Sequence, residues 1–483
     1  MTTAVFPLGD LGAVQDHLAA ADPDRTLVPC RISAVLLGHD RIGRVADAVA
    51  GLLGDRPLTD GRRPTVLLLV DATPIQRRGE DLKAAVRTAL EECFVVRTEV
   101  LTDEHPVLHA DEAALDTASR AARGVDAIVS VGGGTVTDIG KVASVDAGGV
   151  PHAVVQTAAS VDGFTDNVSV VLRAGVKRTI DSRWPDVVIA DVETISEAPA
   201  RMNRAGFGEI TSMFTAPADW RLGALLQVDP TFHPAPTQLL DAVGADIDEW
   251  APGVAVADPA AVERLTWALA VRGIATGVSG TTAVLSGVEH LVSHMLDLHH
   301  SEHGLPMGLH GAQVGAAAVV AAAAWELLFD RMAQGAPAVR IPDADAARAR
   351  VESAFGHLGG GVTAECWNDY SRKLASWAAH RSAVEDAVAG WGRVEPELRR
   401  LLRPSADIAA QLRAAGAAAL LADLDPAVDP ELGHWAVANC ALMRNRSTVV
   451  DLLTALGWWG PEDAAEVLAR AERAATGAGV GTR

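Results

Sequence analysis

The residues best suited to chemistry lie in one histidine-rich stretch in the second half of the chain. His290 and His294 are four positions apart, so they share one face of a helix. His310 follows a loop punctuated by glycine and proline, so the chain can turn back and bring it beside His290. Two imidazoles need only a carboxylate to form a three-ligand divalent metal site with an open position. The stretch therefore indicates a catalytic metal site, the alternative being ordinary core or surface histidines.

A glycine-rich turn earlier in the chain is suited to holding a phosphate. The apolar run 127–131 leads directly into the segment GGGTVTDIGK at 132–141. Glycines at the end of a strand let the backbone approach a pyrophosphate, and free N–H groups at the start of the next helix attract negative charge. The segment is neither a P-loop nor the GxGxxG fingerprint. It favours a dinucleotide over an ordinary tight turn.

An acidic residue, Asp71, closes the apolar run 65–70. At the end of a strand it can accept hydrogen bonds from an adenosine ribose, as in other dinucleotide folds. A plain strand-end turn is the alternative, and the sequence leaves both open.

Two kinds of element must position these residues. Up to about residue 195, β-branched runs alternate with Ala-rich segments of helical period, which is typical of a parallel α/β sheet. The predicted strands are 33–37, 65–70, 127–131, 153–156 and 187–190, and the predicted helices between them are 42–53, 82–93, 112–123 and 136–146. Beyond about residue 200 the pattern is helical throughout. We therefore predict an α/β domain of the nucleotide-binding type over 1–195 and an all-α domain over 196–483.

Charge and cysteine content narrow the environment and the partners. The 483 residues carry a formal net charge of −21, which argues against nucleic acid and anionic membranes as partners. The four cysteines are far apart and form no CxxC pair, so a reducing compartment is expected. The start of the chain does not read as a signal peptide. The most apolar run, 314–325, is shorter than the roughly 20 residues of a membrane span. These features predict a cytoplasmic protein.

Several segments carry a family resemblance. They are GGGTVTDIGK (132–141), VVQTAASVDGFTDN (154–167), residues 185–222, SGVEHLVSH (286–294), LHGAQVG (309–315) and ALMRNRSTVVDLLTALG (441–457). In this order they resemble the sn-glycerol-1-phosphate dehydrogenase branch of the iron-containing alcohol dehydrogenase and 3-dehydroquinate synthase superfamily. The resemblance covers roughly residues 30 to 460. It implies a Rossmann-like NAD(P)-binding domain and an all-helical metal-binding domain, with the active site in the cleft between them. By analogy it implies a homodimer or larger homo-oligomer.

The resemblance also implies roles for individual residues. The cofactor would contact the glycine turn, with Asp138 behind it, and the T-x-x-S block, namely Gly132, Gly133, Gly134, Thr135, Thr157 and Ser160. Asp71 remains the separate candidate for the ribose contact. The substrate side would include Asp162 and His294, the latter as a substrate-side or proton-relay histidine. The metal ligands would be Glu209, His290 and His310.

Three positions depart from the pattern of that branch. Glu209 stands where the branch usually has aspartate, and Met213 and Ala283 stand where it usually has lysine and arginine. Glutamate remains a suitable oxygen ligand. Phosphate recognition usually relies on charge-assisted hydrogen bonds from basic side chains, so the substrate can differ from glycerol 1-phosphate. Lys177 and Arg178 remain as candidates to hold an anionic group.

The sequence therefore predicts a metal-dependent, NAD- or NADP-linked dehydrogenase or reductase of a polyol, a sugar-like ketone or a polyol phosphate. Such a metal, with zinc first and iron or nickel as alternatives, would lower the pKa of the substrate hydroxyl, and hydride would pass to the nicotinamide. Two other hypotheses stay open. One is a cyclase or lyase like 3-dehydroquinate synthase, in which NAD is regenerated in each turnover. The other is a catalytically inactive relative.

Overall fold

The computed structural model describes residues 6–54, 62–103, 107–173 and 176–477. The side chains of 173, 176 and 177 lie outside this description, and with them the predicted anion-binding role of Lys177. The chain divides into two compact units, Met1–Gly206 with Gln238–Gly280, and Phe207–Thr237 with Thr281–Arg483. A boundary between separately folding domains at residues 195 and 196 stays a prediction, because packing defines a unit and does not show that it folds alone.

The first unit holds every strand of the described residues. In chain order they are β1 (Ala34–Gly38), β2 (Thr65–Asp71), β3 (Gln76–Arg77), β4 (Glu80–Asp81), β5 (Val95–Leu101), β6 (Ala127–Gly132), β7 (His152–Gln156), β8 (Val168–Arg173), β9 (Val176–Asp181) and β10 (Val187–Asp191). Six of them form a parallel sheet in the order β1-β10-β7-β6-β2-β5, and β3-β4 and β8-β9 are antiparallel hairpins.

The composition of the central strands explains the parallel sheet. All residues of β6, β7 and β10 are buried, which is typical of strands covered by helices on both faces. The five predicted strands are confirmed to within one residue at each end. The prediction missed β5 and both hairpins. β5 lies at the edge of the sheet and leaves most of its residues exposed or half-buried, so its apolar pattern is weak.

Helices make up the rest of the chain. Before residue 281 the helices are α1 (Leu11–Ala21), α2 (Val45–Leu53), α3 (Leu82–Glu91), α4 (Glu112–Ala121), α5 (Gly134–Asp146), α6 (Val192–Ser196), α7 (Ala200–Ile210), α8 (Ala216–Leu225), α9 (Pro234–Gly244), α10 (Ile247–Ala255) and α11 (Pro259–Ser279). Those after it are α12 (Val288–Glu302), α13 (His310–Ala333), α14 (Ala344–Phe355), α15 (Gly360–Ala379), α16 (Arg381–Ala389), α17 (Trp391–Arg399), α18 (Ser405–Ala414), α19 (Pro430–Asn439), α20 (Val449–Ala455) and α21 (Pro461–Thr476). The predicted helical character beyond about residue 200 is confirmed.

Helix α13 is the longest helix of the second unit among the described residues. Its 24 residues are longer than the apolar run seen in the sequence, and by length and composition alone it could cross a membrane. However, 89% of its apolar window is buried inside the protein. Its burial agrees with the predicted core helix.

A buried charge network ties helix α5 to the β8–β9 hairpin. The Lys141 ammonium is inaccessible to solvent and donates to Asp166 Oδ1 at 2.5 Å, to Asp138 Oδ1 at 3.3 Å and to two backbone carbonyls. Asp138 in turn accepts from the backbone N–H of Val170 at 2.9 Å. Burial raises the pKa of Asp166 to about 7, and the second carboxylate beside the same lysine adds to that effect. The unit therefore holds more negative charge at this point than one lysine neutralises.

Asp166→Asn is expected to flatten the pH dependence of stability between about pH 4 and pH 7. Because the folded-state pKa of Asp166 lies above its unfolded value, the folded protein binds the extra proton, so its contribution to stability is present at low pH and is lost as pH rises through about 7. The measurement is the urea midpoint at several pH values. Asp146→Asn, at the exposed end of α5, is the control and should behave as wild type. Equal pH dependence in all three proteins would contradict the assignment.

Candidate metal and dinucleotide sites

One carboxylate and two imidazoles of the second unit converge on a single point. Glu209 near the end of α7, His290 in α12 and His310 at the start of α13 offer ligand atoms that all lie within 4.8 Å of one another. Glu209 Oε1 is 3.4 Å from His290 Nε2, and Glu209 Oε2 is 3.8 Å from His310 Nε2. The structure thus brings together the three residues expected as metal ligands.

Glycines allow the two segments that carry these ligands to touch. A Cβ on Gly208 would lie 2.2 Å from the backbone oxygen of Gly311, and one on Gly315 would lie 2.6 Å from the Cα of Gly208. Any side chain at these positions would push α7 away from α13. The glycines beside Glu209 and His310 therefore set the distance between the two ligands.

A buried carboxylate orients the imidazole of His290. Glu289 Oε1 lies 3.0 Å from His290 Nδ1, and Glu289 is inaccessible to solvent. The same carboxylate accepts from the backbone N–H of Gly287 at 2.6 Å and from the Thr215 hydroxyl at 2.8 Å. An acceptor at Nδ1 keeps a proton there, so that Nε2, which faces Glu209, is the nitrogen left to bind a metal.

The Ser293 hydroxyl likewise orients the imidazole of His310. Ser293 Oγ donates to Gln313 Oε1 at 2.8 Å and lies 3.1 Å from His310 Nδ1. Because its only proton goes to Gln313, Ser293 accepts from the Nδ1–H of His310. Both histidines therefore turn Nε2 toward the same point.

A third imidazole stands next to this point. The ring of His294 stacks on that of His310 with a centroid distance of 5.8 Å and lies 6.4 Å from that of His290. The structure therefore places His294 within reach of a molecule bound at the three ligands.

The electrostatics and the donor types fit a divalent cation. Burial disfavours a charge on His290, but hydrogen bonds with Glu209 and Glu289 raise its pKa to about 9. Burial likewise opposes ionisation of Glu289, yet its bond with His290 keeps its pKa below the usual value. Two buried carboxylates thus favour positive charge at the imidazole nitrogens. One carboxylate with two imidazoles, leaving a fourth position open, is also the donor set of catalytic zinc sites.

Glu289→Gln is expected to weaken metal binding by roughly 10- to 100-fold, because an uncharged acceptor holds His290 less firmly and makes it a poorer ligand. Competition with a chelator of known affinity measures this. Glu302→Gln, at the exposed end of α12, provides the matched control. An unchanged metal affinity in Glu289→Gln would show that this carboxylate does not support the site.

The glycine-rich turn lies in the first unit, where β6 passes into α5. Gly133 is the residue before the helix, and the first helical hydrogen bond runs from the Thr137 N–H to the Gly133 carbonyl at 3.1 Å. The N–H groups before Thr137 therefore have no partner within the helix. A Cβ on Gly133 would meet nothing within 4 Å, and the first turn of α5 contains no acidic residue. This open helix terminus fits a pyrophosphate.

The neighbouring loop presents two hydroxyls. Thr157 and Ser160 follow β7, and neither side chain hydrogen-bonds to a residue that the structure describes. Asn203 Oδ1 accepts from the backbone N–H of Ala159 at 3.0 Å, and a Cβ on Gly206 would lie 1.8 Å from the Ala159 carbonyl oxygen. Helix α7 therefore holds this loop, with its hydroxyls available to a cofactor.

The other predicted residues of the first unit already have partners. Asp71 accepts from Lys83 Nζ at 2.6 Å and from the Thr73 hydroxyl at 2.7 Å, which favours the strand-end turn over a ribose contact. Asp162 accepts from Arg272 Nη2 at 3.1 Å, and that arginine is inaccessible to solvent. Their roles toward a cofactor or substrate stay predictions.

Asp138 contacts Lys141 and accepts from the Val170 N–H, and it therefore supports the turn into α5.

The sequence prediction missed three residues that support the candidate sites, namely Glu289, Ser293 and Asn203. Glu289 directly precedes a predicted ligand and is a charged residue on an otherwise apolar helix, a signal that could have identified it.

Comparison with known proteins identifies a family and several relatives that this chain resembles. Residues 45–199 match the model of the iron-containing alcohol dehydrogenase family. A glycerol-1-phosphate dehydrogenase of Halalkalibacterium halodurans is 33% identical over 238 residues, which are 49% of this chain and 58% of that protein. One of Haloquadratum walsbyi is 31% identical over 292 residues, or 60% of this chain and 76% of that protein. The crystal structure of a probable glycerol dehydrogenase from Sinorhizobium meliloti 1021 covers 91% of this chain and 98% of its own, with a TM-score of 0.57 and 16% identity.

The similarity in fold defines the molecule as a two-part protein of an α/β sheet and a helical C-terminal region. The chain belongs to the iron-containing alcohol dehydrogenase family, in the branch of the glycerol-1-phosphate dehydrogenases. It spans 58% of the length of the Halalkalibacterium relative, so the activity of that whole protein does not transfer by similarity alone.

Proposed function

We propose that this protein is a metal-dependent, NAD(P)-linked dehydrogenase or reductase of a polyol, a sugar-like ketone or a polyol phosphate. The observation that carries the proposal is the convergence of Glu209, His290 and His310, with both imidazoles oriented by buried partners. The names of the relatives, glycerol-1-phosphate dehydrogenases that use NAD(P)+, support the same reaction class.

Each part of the chain would contribute a different function. When bound, a divalent metal supplies Lewis acidity toward a hydroxyl or carbonyl oxygen, and a nicotinamide supplies or accepts hydride. The open N-terminus of α5 and the hydroxyls of Thr157 and Ser160 would hold the dinucleotide. Glu289 and Ser293 would keep the ligand imidazoles in one tautomer.

Proton transfer would fall to His294. Its ring stacks on that of His310 at 5.8 Å, and the charge of an imidazole changes near physiological pH. It would take the hydroxyl proton during oxidation and return it during reduction. Asp162 would contact the substrate, positioned by its ion pair with Arg272.

The metal and the location are further parts of the proposal. Zinc suits a carboxylate and two imidazoles, and iron and nickel accept the same donors. None of the four cysteines forms a disulfide, which supports a reducing, cytoplasmic location.

The test is elemental analysis of the purified protein together with NADH and NADPH titration, followed by reduction of ketoses and their phosphates. We expect about one divalent metal per chain, micromolar binding of one dinucleotide, and net oxidation of NAD(P)H when a suitable ketone is added. Metal and dinucleotide binding with turnover but no net change in NAD(P)H would favour the cyclase hypothesis instead. Absence of both ligands would contradict the proposal.

A further inference from the structure

A half-buried arginine in the second unit hydrogen-bonds only to neutral groups, while the carboxylates of Glu289, Asp229 and Asp219 act on it through space. Arg446 donates through Nη1 to the backbone oxygen and the hydroxyl of Ser286, and through Nη2 to the hydroxyl of Thr282. Among the described residues no carboxylate forms an ion pair with it. Its guanidinium is therefore a cation without a paired anion.

Such an arrangement leaves the guanidinium without a hydrogen-bonded anion. Burial of a charge costs free energy, and removing this guanidinium from water lowers the pKa of Arg446 to about 10, although the nearby carboxylate of Glu289 opposes that shift. At neutral pH the side chain is still charged. A ligand oxyanion would supply a direct ionic hydrogen-bond partner.

The two hydroxyls beside Arg446 are also available to an anion. Ser286 and Thr282 accept from the guanidinium, so their own hydroxyl protons remain to be donated, and neither donates to a described residue. A guanidinium fork flanked by two hydroxyl donors is suited to the several oxygens of a phosphate or carboxylate.

The position of this group links it to the metal centre. Ser286 precedes the ligand His290 by four residues. The Ser212 hydroxyl, three residues after the ligand Glu209, donates to the backbone oxygen of Leu285 at 3.0 Å. The guanidinium thus lies against the segment that leads into the ligand-bearing helix.

Buried polar contacts hold both segments in place. Lys373 Nζ donates to the backbone oxygen of Arg446 at 3.0 Å and pairs with Asp451 at 2.8 Å. Asp219 accepts from the backbone N–H of Val288 at 3.1 Å and from that of Val449 at 2.8 Å, which joins the starts of α12 and α20. Arg446 is therefore preorganised, which reduces the entropic cost of binding a ligand.

We propose that Arg446, with the hydroxyls of Ser286 and Thr282, binds an oxyanionic group of the substrate next to the metal centre. The inference rests on the proposed function and names the residue that selects a phosphorylated or otherwise anionic substrate. Met213 and Ala283, where the related branch usually has basic residues, are uncharged and buried. Arg446 would supply a basic group from another part of the chain.

The experiment combines phosphate binding with kinetics. Inorganic phosphate is titrated calorimetrically into the wild type, Arg446→Gln and Arg446→Lys, and the three proteins are assayed with dihydroxyacetone phosphate and with dihydroxyacetone. We expect Arg446→Gln to weaken phosphate binding and to raise the KM for the phosphorylated ketone, each by about 10- to 100-fold, with kcat and the unphosphorylated reaction little changed. Arg446→Lys should give intermediate values because it keeps the charge and loses the fork.

Arg444→Gln is the matched control, since Arg444 lies two residues away and pairs with Asp369 at 3.6 Å. It should bind phosphate as the wild type does. Equal phosphate binding by wild type and Arg446→Gln, or equal losses with both ketones, would overturn the proposal and make Arg446 a structural clamp. If Arg446→Gln does not fold, the comparison of Arg446→Lys with wild type decides. If the wild type reduces neither ketone but loses phosphate binding on Arg446→Gln, the proposed function fails and the anion site stands.

Discussion

His310→Ala is expected to remove the bound metal and to lower turnover by at least about 1,000-fold, since Lewis acidity contributes several kcal/mol to such reactions. Within the part of the chain that the structure describes, the Nε2 atom of His310 is one of three ligand atoms that converge on the centre, and two ligands hold a divalent metal poorly. The dinucleotide should bind with unchanged affinity, because its predicted contacts lie in the first unit. Metal content after dialysis and a fluorescence titration with NADH measure the two effects.

The matched control is His303→Ala. His303 is exposed and follows the last residue of α12, so its loss removes a histidine of the same segment and leaves the three ligands intact. This variant should keep its metal and its activity. A His310→Ala protein with full metal content and normal turnover would show that the centre lies elsewhere.

Gly133→Val is expected to weaken dinucleotide binding by about 100-fold, which corresponds to about 2.7 kcal/mol. With φ near −81°, Gly133 has a backbone conformation that other residues adopt, and its Cβ would meet no protein atom within 4 Å. The new side chain would occupy the space in front of the helix terminus where the pyrophosphate is expected. Metal content should stay at the wild-type value, and NADH titration provides the readout.

Gly51→Val is the control for this substitution, because Gly51 also has open space around it and lies in α2, away from the turn. Gly134 is a poorer test site, since a Cβ there would lie 2.9 Å from Val161 Cγ2 and would add strain to any loss of binding. Equal NADH affinity in Gly133→Val, Gly51→Val and wild type would exclude the turn as the pyrophosphate site.

The sequence predicted the central strands well because their physical signal is strong. Runs such as 65–70 and 127–131 are apolar on both faces, and a continuous apolar run between Ala-rich helices has few other uses. Edge strand β5 carries no such signal, because four of its seven residues are exposed.

The clustering of the candidate ligands could be predicted, and their support could not. His290 and His310 can be identified by their residue type and by the glycines and apolar residues around them. Ser293 and Gln313 act through hydrogen bonds that depend on how α12 and α13 face each other, which no local pattern encodes. Glu289 differs, because it lies next to His290 in the sequence. Arg446 lies more than 150 residues from the serine that accepts from it, so its partners become visible only in the folded chain.

The distribution of the two candidate sites over the two compact units has a thermodynamic consequence. All three ligand atoms for a metal come from the second unit, and the turn and hydroxyls for a dinucleotide come from the first. Each ligand can therefore be titrated with the other absent, and a cycle of four affinities yields a coupling free energy. Because the predicted contacts of each ligand lie in one unit, a nonzero value would report communication between the two sites. The same cycle with His310→Ala or Gly133→Val would show how much each site contributes to that communication.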